Sequence, residues 1–305
     1  MMRRVLLPAA ALAIALVLAS LGIVVVTAQA PTVTVKYVKG ALPWDPKSPL
    51  WPSPVEVPLT SQTLVYPLPA AAESRSVYVS ALHNGTHIAF LLSWRDATRD
   101  VATPGGLDVF PDAVAIQFPV SRAQLPYICM GTVDNPVNII YWRAGVGVEN
   151  LVAGAGYGLS PQQREALGLQ ATPTSPVELL PAEAQVVVAN ATYSNGTWYV
   201  VVVRPLGSVH PLMSSLSDGF SAAFATWDGS KGERGGVKAT SGWVSFTLEA
   251  PPAAATQPAP QPGAAQTVTV TTTQIVEASP TWAWAVIGVL IAVIAILAGL
   301  ALRRK

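Results

Sequence analysis

Ala191-Thr192-Tyr193-Ser194-Asn195-Gly196-Thr197-Trp198-Tyr199-Val200-Val201-Val202-Val203-Arg204 decides the reading of the fold. Asn-Gly between two β-prone runs favours a type I′ turn, because both central positions need positive φ. Residues 184–193 and 197–204 therefore read as the arms of a hairpin. The same pattern stands upstream, where 76–82 alternates, meets His83-Asn84-Gly85 and continues as 86–94. Five further runs rich in Val, Ile, Tyr, Phe and Trp read as strands: 32–38, 112–118, 137–143, 220–227 and 242–248. One helix is signalled. Ser160 can cap it, Pro161 takes its first position, Gln163 completes a capping box and Gly168 closes it. The pattern predicts a mainly β fold, an antiparallel two-sheet β-sandwich with one short helix.

The composition limits the chemistry. The chain has 305 residues, 51% hydrophobic and only 11% charged, where an ordinary soluble protein has about 25% charged. A net charge of +1 carries no footprint for nucleic acid. The single cysteine, Cys129, excludes an intrachain disulfide framework, a four-cysteine zinc site, a self-contained iron–sulfur cluster and covalent haem attachment through C-x-x-C-H. Three histidines, His83, His87 and His210, leave little for a histidine-rich metal centre. No phosphate loop, G-x-S-x-G, H-E-x-x-H or dinucleotide fingerprint occurs. A catalyst acting alone does not fit this inventory.

The two ends carry membrane signals. Residues 1–30 open with Arg3-Arg4, continue through an apolar run and finish in Ala28-Gln29-Ala30, the parts of a secretory signal peptide. A retained anchor is the rival reading. Residues 281–302 form an apolar stretch of membrane-spanning length, with Trp282 and Trp284 at its start and Arg303-Arg304-Lys305 as a short cytoplasmic tail. Residues 250–280 are rich in Pro, Ala, Gln and Thr and read as an extended linker. The folded domain is thus expected over 31–249, on the extracytoplasmic side of the cell membrane, tethered to lipid by one C-terminal helix. Three Asn-x-Thr sequons, at Asn84, Asn190 and Asn195, agree with that side.

Two stretches stand out chemically. Pro126-Tyr127-Ile128-Cys129-Met130-Gly131 holds one of only two methionines outside the N-terminal segment, the other being Met213. A methionine in an apolar strand is ordinarily core filler. Cys129 is a second soft donor, but neighbours on a strand point to opposite faces, so the two do not share one metal. Trp227-Asp228-Gly229-Ser230-Lys231-Gly232-Glu233-Arg234-Gly235-Gly236-Val237-Lys238 is a glycine-rich charged loop in a chain that otherwise avoids charge. Its bland reading is a solvated connection. Lys231 and Lys238 are the only lysines between Lys47 and Lys305.

Taken in order, these pieces resemble the haem b-binding gamma subunit of the ethylbenzene dehydrogenase and dimethylsulfide dehydrogenase type, within the DMSO reductase family of molybdoenzymes. The matching segments are Trp44-Asp45-Pro46 with Trp51, Ile88 to Thr98, Phe110 to Pro119, Met130-Gly131 with Pro136-Val137-Asn138-Ile139 and Trp142, and Trp227-Asp228-Gly229-Ser230 through Lys238. The resemblance implies a β-sandwich holding one non-covalent haem b, with Met130 and Lys238 as the iron ligands and Lys231 as the fallback. It places Asn138, Trp142 and Trp227 at the cofactor. It also implies a molybdopterin catalytic subunit and an iron–sulfur subunit as partners, with a quinone-linked or other redox carrier beyond them.

The ligand pair is chemically coherent. A thioether is a soft, neutral donor that favours ferrous iron. A lysine ligates only as the neutral amine, a form favoured by burial and by the charge of the metal. Two protein ligands fill both axial positions, so the expected task is carrying single electrons rather than catalysis. The alternative is a cell-surface carbohydrate-binding or structural β-sandwich without haem, since sandwiches host both uses.

Overall fold

A computed structural model describes residues 32–63, 72–103, 110–121, 123–128, 130–155 and 158–252. The expected signal peptide, most of the linker, the membrane span, the tail and Cys129 lie outside the described residues. Among the described residues no helix is long and apolar enough to cross a membrane.

The domain is mainly β. Its strands are β1 (Thr32–Tyr37), β2 (Val55–Thr63), β3 (Arg75–His83), β4 (His87–Arg95), β5 (Ala113–Pro119), β6 (Val137–Arg143), β7 (Gly147–Ala153), β8 (Val177–Leu179), β9 (Val188–Tyr193), β10 (Thr197–Pro205), β11 (Phe220–Trp227), β12 (Val237–Thr240) and β13 (Val244–Leu248). Among the described residues one α-helix, Pro161–Ala166, starts at the expected capping box of Ser160 and Gln163. Hydrogen bonds join the strands in the order β8-β7-β6-β5-β11-β12-β2-β3-β4-β10-β9. β13 pairs with β11, β1 pairs with β13 and β3, and the path thereby closes on itself.

Two expectations are corrected. The strands form one continuous, sandwich-like sheet rather than two separate ones, because three strands change partner along their length. β11 pairs with β13 over Phe220 to Ala222 and with β12 over Ala225 to Thr226. Val55 to Leu59 of β2 pairs with β3, and Thr60 to Thr63 pairs with β12. β1 does the same, pairing first with β13 and then with β3, and it runs parallel to both. The architecture is therefore not purely antiparallel. Parallel neighbours need a long connection, and the intervening chain of β2 supplies one between β1 and β3.

The Asn195-Gly196 turn is as expected. Both residues have positive φ, 51° and 69°, and Ser194 and Thr197 exchange backbone hydrogen bonds of 2.9 and 3.1 Å. At Asn84-Gly85 only the glycine has positive φ. There the Asn84 side-chain oxygen accepts from the backbone N–H groups of Thr86 and His87. This side-chain-built turn replaces the expected type I′ turn.

The main core lies inside the curled sheet. Val57, Val79, Phe90, Leu92 and Val200 meet Ile116, Phe118, Ile140 and Phe224. Trp94, Trp142 and Trp198 pack together at one end, with ring centroids 5.1 to 6.4 Å apart. Each such buried side chain contributes about 1.5–3 kcal/mol of transfer free energy.

The loop after β11 enters this framework through a close approach. A Cβ on Gly229 would sit 1.8 Å from the Phe110 carbonyl oxygen and 2.8 Å from Asp100 Cβ. Gly229→Ala is expected to destabilise the domain by about 2–3 kcal/mol, read as a lowered denaturant midpoint. A midpoint matching the parent chain would contradict this packing.

Candidate functional site

Successive side chains of a strand point to opposite faces. In β5, Val114, Ile116 and Phe118 enter the main core, while Ala113 and Ala115 face the other way. In β11, Phe224 enters the core, and Ala225 and Trp227 belong to the second cluster. Val137 and Ile139 of β6 and Leu151 and Ala153 of β7 complete that outer apolar layer. The face is thus floored largely by alanine. Small side chains leave it apolar but shallow.

Met130 packs at this layer, partly buried, together with Tyr141, Val177 and Trp243. Gly131 follows with φ 63°, and a Cβ there would meet the Asn135 carbonyl oxygen at 2.6 Å. A glycine at that position lets the chain fold back directly after the methionine. The segment before Met130 is pinned to the sheet from two sides. Gln117 Nε2 donates to the Ile128 carbonyl (2.7 Å), and Trp243 Nε1 donates to the Pro126 carbonyl (3.0 Å). Leu125 and Tyr127 on the same segment are 49% and 77% exposed.

Lys238 is not in a solvated loop. It lies on β12 opposite Gln62 and is only 9% exposed. Continuing the β11–β12 register sets it beside Trp227, and its Nζ is 5.5 Å from the centroid of that ring. Trp227 donates to the Gly235 carbonyl (3.1 Å), which fixes the indole against the loop. Lys238 and Trp227 line a recess of about 40 Å³ with Ala115, Gln117, Ile139 and Ala225, and Ile128 lies across it. Lys231, the fallback, is turned to the surface, where it pairs with Glu73 and Asp228.

The structure brings Met130, Lys238 and Trp227 to one face. It does not bring Asn138 and Trp142 there. Those two share the strand parity of Ile140, so they point into the main core. Trp142 packs on Trp94 and Trp198. Asn138 is fully buried. It donates to Asn150 (2.7 Å) and the Leu151 carbonyl (2.9 Å), and it accepts from Arg204 and the Ser214 N–H (both 3.3 Å). Asn138 therefore ties β6 to β7 and β10 from within. Sequence reasoning missed the floor itself. The signal was present in Ala113-Val114-Ala115-Ile116 and Ala223-Phe224-Ala225, where small and large residues alternate.

A wider, open groove of about 540 Å³ runs beside β11 and β13, lined by Pro119, Leu125, Asp218, Phe220, Ser245 and Leu248 among others. Its lining residues include no thioether, imidazole, thiol or amine. The smaller recess is lined by Lys238.

The face joins a soft thioether, a buried amine and an apolar floor. The comparisons with known proteins show the family. The family described as ethylbenzene dehydrogenase matches residues 48–188 and 179–239, more than half of the chain. This chain belongs to that family. It is 32% identical over 208 residues to a Haloferax mediterranei protein assigned as a respiratory nitrate reductase heme subunit, covering 67% of this chain and 68% of the relative. It is 34% identical over 173 residues to the dimethylsulfide dehydrogenase subunit gamma of Rhodovulum sulfidophilum, covering 53% and 57%. The chlorate reductase subunit gamma of Ideonella dechloratans is 28% identical over 204 residues, covering 64% and 74%. Among solved structures, a family 9 carbohydrate binding module of Caldicellulosiruptor kristjanssonii overlaps with a TM-score of 0.38 at 9% identity, over 75% of this chain and all of the module. That overlap is too slight to bear on function.

Tyr141 stands against Trp227, ring centroids 5.0 Å apart, and burial pushes its phenol up to about 12. An unfolded chain releases this proton near pH 10. The stability linked to it is complete below pH 10 and is lost as pH rises toward 12. An alkaline absorbance titration is expected to show one tyrosine ionising near pH 12 and Tyr141→Phe to remove that step. A Tyr141 phenol titrating near 10 would place the ring in water.

Proposed function

We propose that this chain is the haem b-carrying electron-transfer subunit of a molybdenum oxidoreductase complex. One observation carries the reading. A chain of this family presents Met130 and Lys238, its rare thioether and its one strongly buried lysine among the described residues, on the same alanine-floored sheet face.

The residues present fit the group. Met130 would supply a soft thioether sulfur, a donor type known to hold haem iron, and Lys238 an amine. The alanines of β5 and β11 offer a flat apolar bed, and Trp227 forms a wall beside the amine. The recess, at about 40 Å³, is far smaller than a porphyrin. The wall that yields on this reading is the segment from Leu125 to Ile128. It hangs on hydrogen bonds from Gln117 and Trp243, and it already exposes Leu125 and Tyr127. An apolar segment of this kind gains area by closing over a hydrophobic ring.

Haem b bound here supplies a one-electron couple. The protein's own part would be to offer Met130 and Lys238 as the residues that hold the group and to keep water from the sheet face. With both residues holding the group, the chain would act as an electron relay rather than a catalyst. The partners on this reading are a molybdopterin catalytic subunit and an iron–sulfur subunit, with a quinone-linked or other carrier beyond. The proposed placement is extracytoplasmic. A signal segment at 1–30, a linker at 250–280 and a membrane span at 281–302 would hold the domain at the cell membrane.

The full chain purified from cells supplied with haem is expected to show a sharp Soret band and a reducible α-band of six-coordinate low-spin haem. Met130→Ala and Lys238→Ala should each abolish the low-spin signature, and Lys231→Ala should preserve it. Circular dichroism on each variant separates ligand loss from unfolding. A colourless parent chain, or folded Met130 and Lys238 variants with unchanged spectra, contradicts the reading.

A further inference from the structure

Four aspartates meet where β4 ends, β5 begins and β11 ends, and none of them lines the recess that holds Lys238. Asp96 follows β4, Asp100 stands in the loop after it, Asp112 immediately precedes β5 and Asp228 immediately follows β11. One carboxylate oxygen from each lies within 4.8 Å of those of the other three. Asp96, Asp112 and Asp228 are 4%, 0% and 7% exposed. Three buried carboxylates in contact are expensive unless positive charge or protons offset them.

The hydrogen bonds leave one enclosed carboxylate oxygen over. Asp112 Oδ2 accepts from the Asp100 N–H (2.8 Å) and the Trp198 indole (2.9 Å), and its Oδ1 accepts from the Gly229 N–H (2.9 Å). Asp228 Oδ1 accepts from Ser230 (2.7 Å) and the Lys231 N–H, and Asp100 Oδ2 accepts from Thr98 (2.6 Å). Asp96 Oδ1 accepts from the Thr98 N–H and hydroxyl. Asp96 Oδ2 is enclosed and has no hydrogen-bond partner among the described residues. Countercharge is thin. Lys231 Nζ reaches Asp228 at 3.5 Å but also serves Glu73, and Arg75 is engaged by Glu233. Burial, with the charges of Asp112 and Asp228, pushes the Asp96 carboxyl up to about 7, the mark of a negative pocket short of positive charge.

We propose that Asp96, Asp100, Asp112 and Asp228 bind one hard divalent cation of the calcium class. The donors are all oxygen, as such ions require. Oxygens on opposite sides of calcium, at about 2.4 Å each, stand about 4.8 Å apart, and the four oxygens here all lie within that separation. The ion would tie together the end of β4, the start of β5 and the end of β11. It would thereby fix the loop from Asp228 to Lys238, since Gly229 and Asp112 are already joined. Three of the four aspartates fall in the segments Ile88 to Thr98, Phe110 to Pro119 and Trp227 to Ser230, whose acidic residues the haem reading leaves without a task. This site does not rest on that reading.

The indole of Trp198, bonded to Asp112, makes terbium a direct probe. The purified full chain, stripped with chelator, is titrated with Tb³⁺ and then with Ca²⁺. Sensitised emission should saturate with one ion per chain, and Ca²⁺ should displace it. The thermal midpoint should rise by about 5 °C at a calcium concentration about a hundred times the Kd. Asp96→Asn should weaken Tb³⁺ binding at least tenfold, and Asp134→Asn, on an exposed loop, should leave it unchanged. Absence of sensitised emission from the stripped parent chain overturns the proposal. So does emission from folded Asp96→Asn equal to the parent's.

Discussion

The strict alternation of side chains along β5, β6 and β11 is the constraint on which the remaining features depend. One parity fills the interior with Phe118, Ile140 and Phe224. The other paves the outer face with Ala113, Ala115, Ile139 and Ala225. A slip of register by one residue would exchange the two sets and put phenylalanines where the thioether and amine now look out over alanine. The interior set is large enough to fix that register. The same burial that stabilises the fold therefore builds the shallow apolar bed.

The two donor residues are delivered to that bed by different means. Lys238 is placed by a ladder, since β12 sits between β11 and β2 and its register sets Lys238 opposite Gln62. Met130 is placed by a loop that Gln117 and Trp243 hold down from the sheet. One side of the recess is a strand in the ladder, and the other is a segment tied down by two side-chain hydrogen bonds.

Much of the fold was legible where local chemistry is decisive. Asn195-Gly196 specified its turn, and Ser160, Pro161 and Gln163 specified the helix start. β2 was not legible, because Pro58 stands inside it and a proline argues against a strand. The structure accommodates it, since at Pro58 the strand pairs only with β3 and the other edge needs no donor there. β12 was hidden for another reason. Its four residues follow a run of glycine and charge that reads as solvated loop, and only pairing with β2 and β11 makes them a strand.

The grouping of Met130 and Lys238 on one face was legible, and what surrounds them was not. Met130 and Lys238 stand out by scarcity, and Trp227 lies in the same loop motif. The family resemblance placed Asn138 and Trp142 at the site, whereas strand parity sends both inward, where Asn138 bridges β6, β7 and β10. The most direct test of the account is iron X-ray absorption on the haem-loaded full chain. The account predicts a first shell of one sulfur and five nitrogens, with the sulfur lost on replacing Met130. A shell of nitrogen and oxygen alone would contradict it.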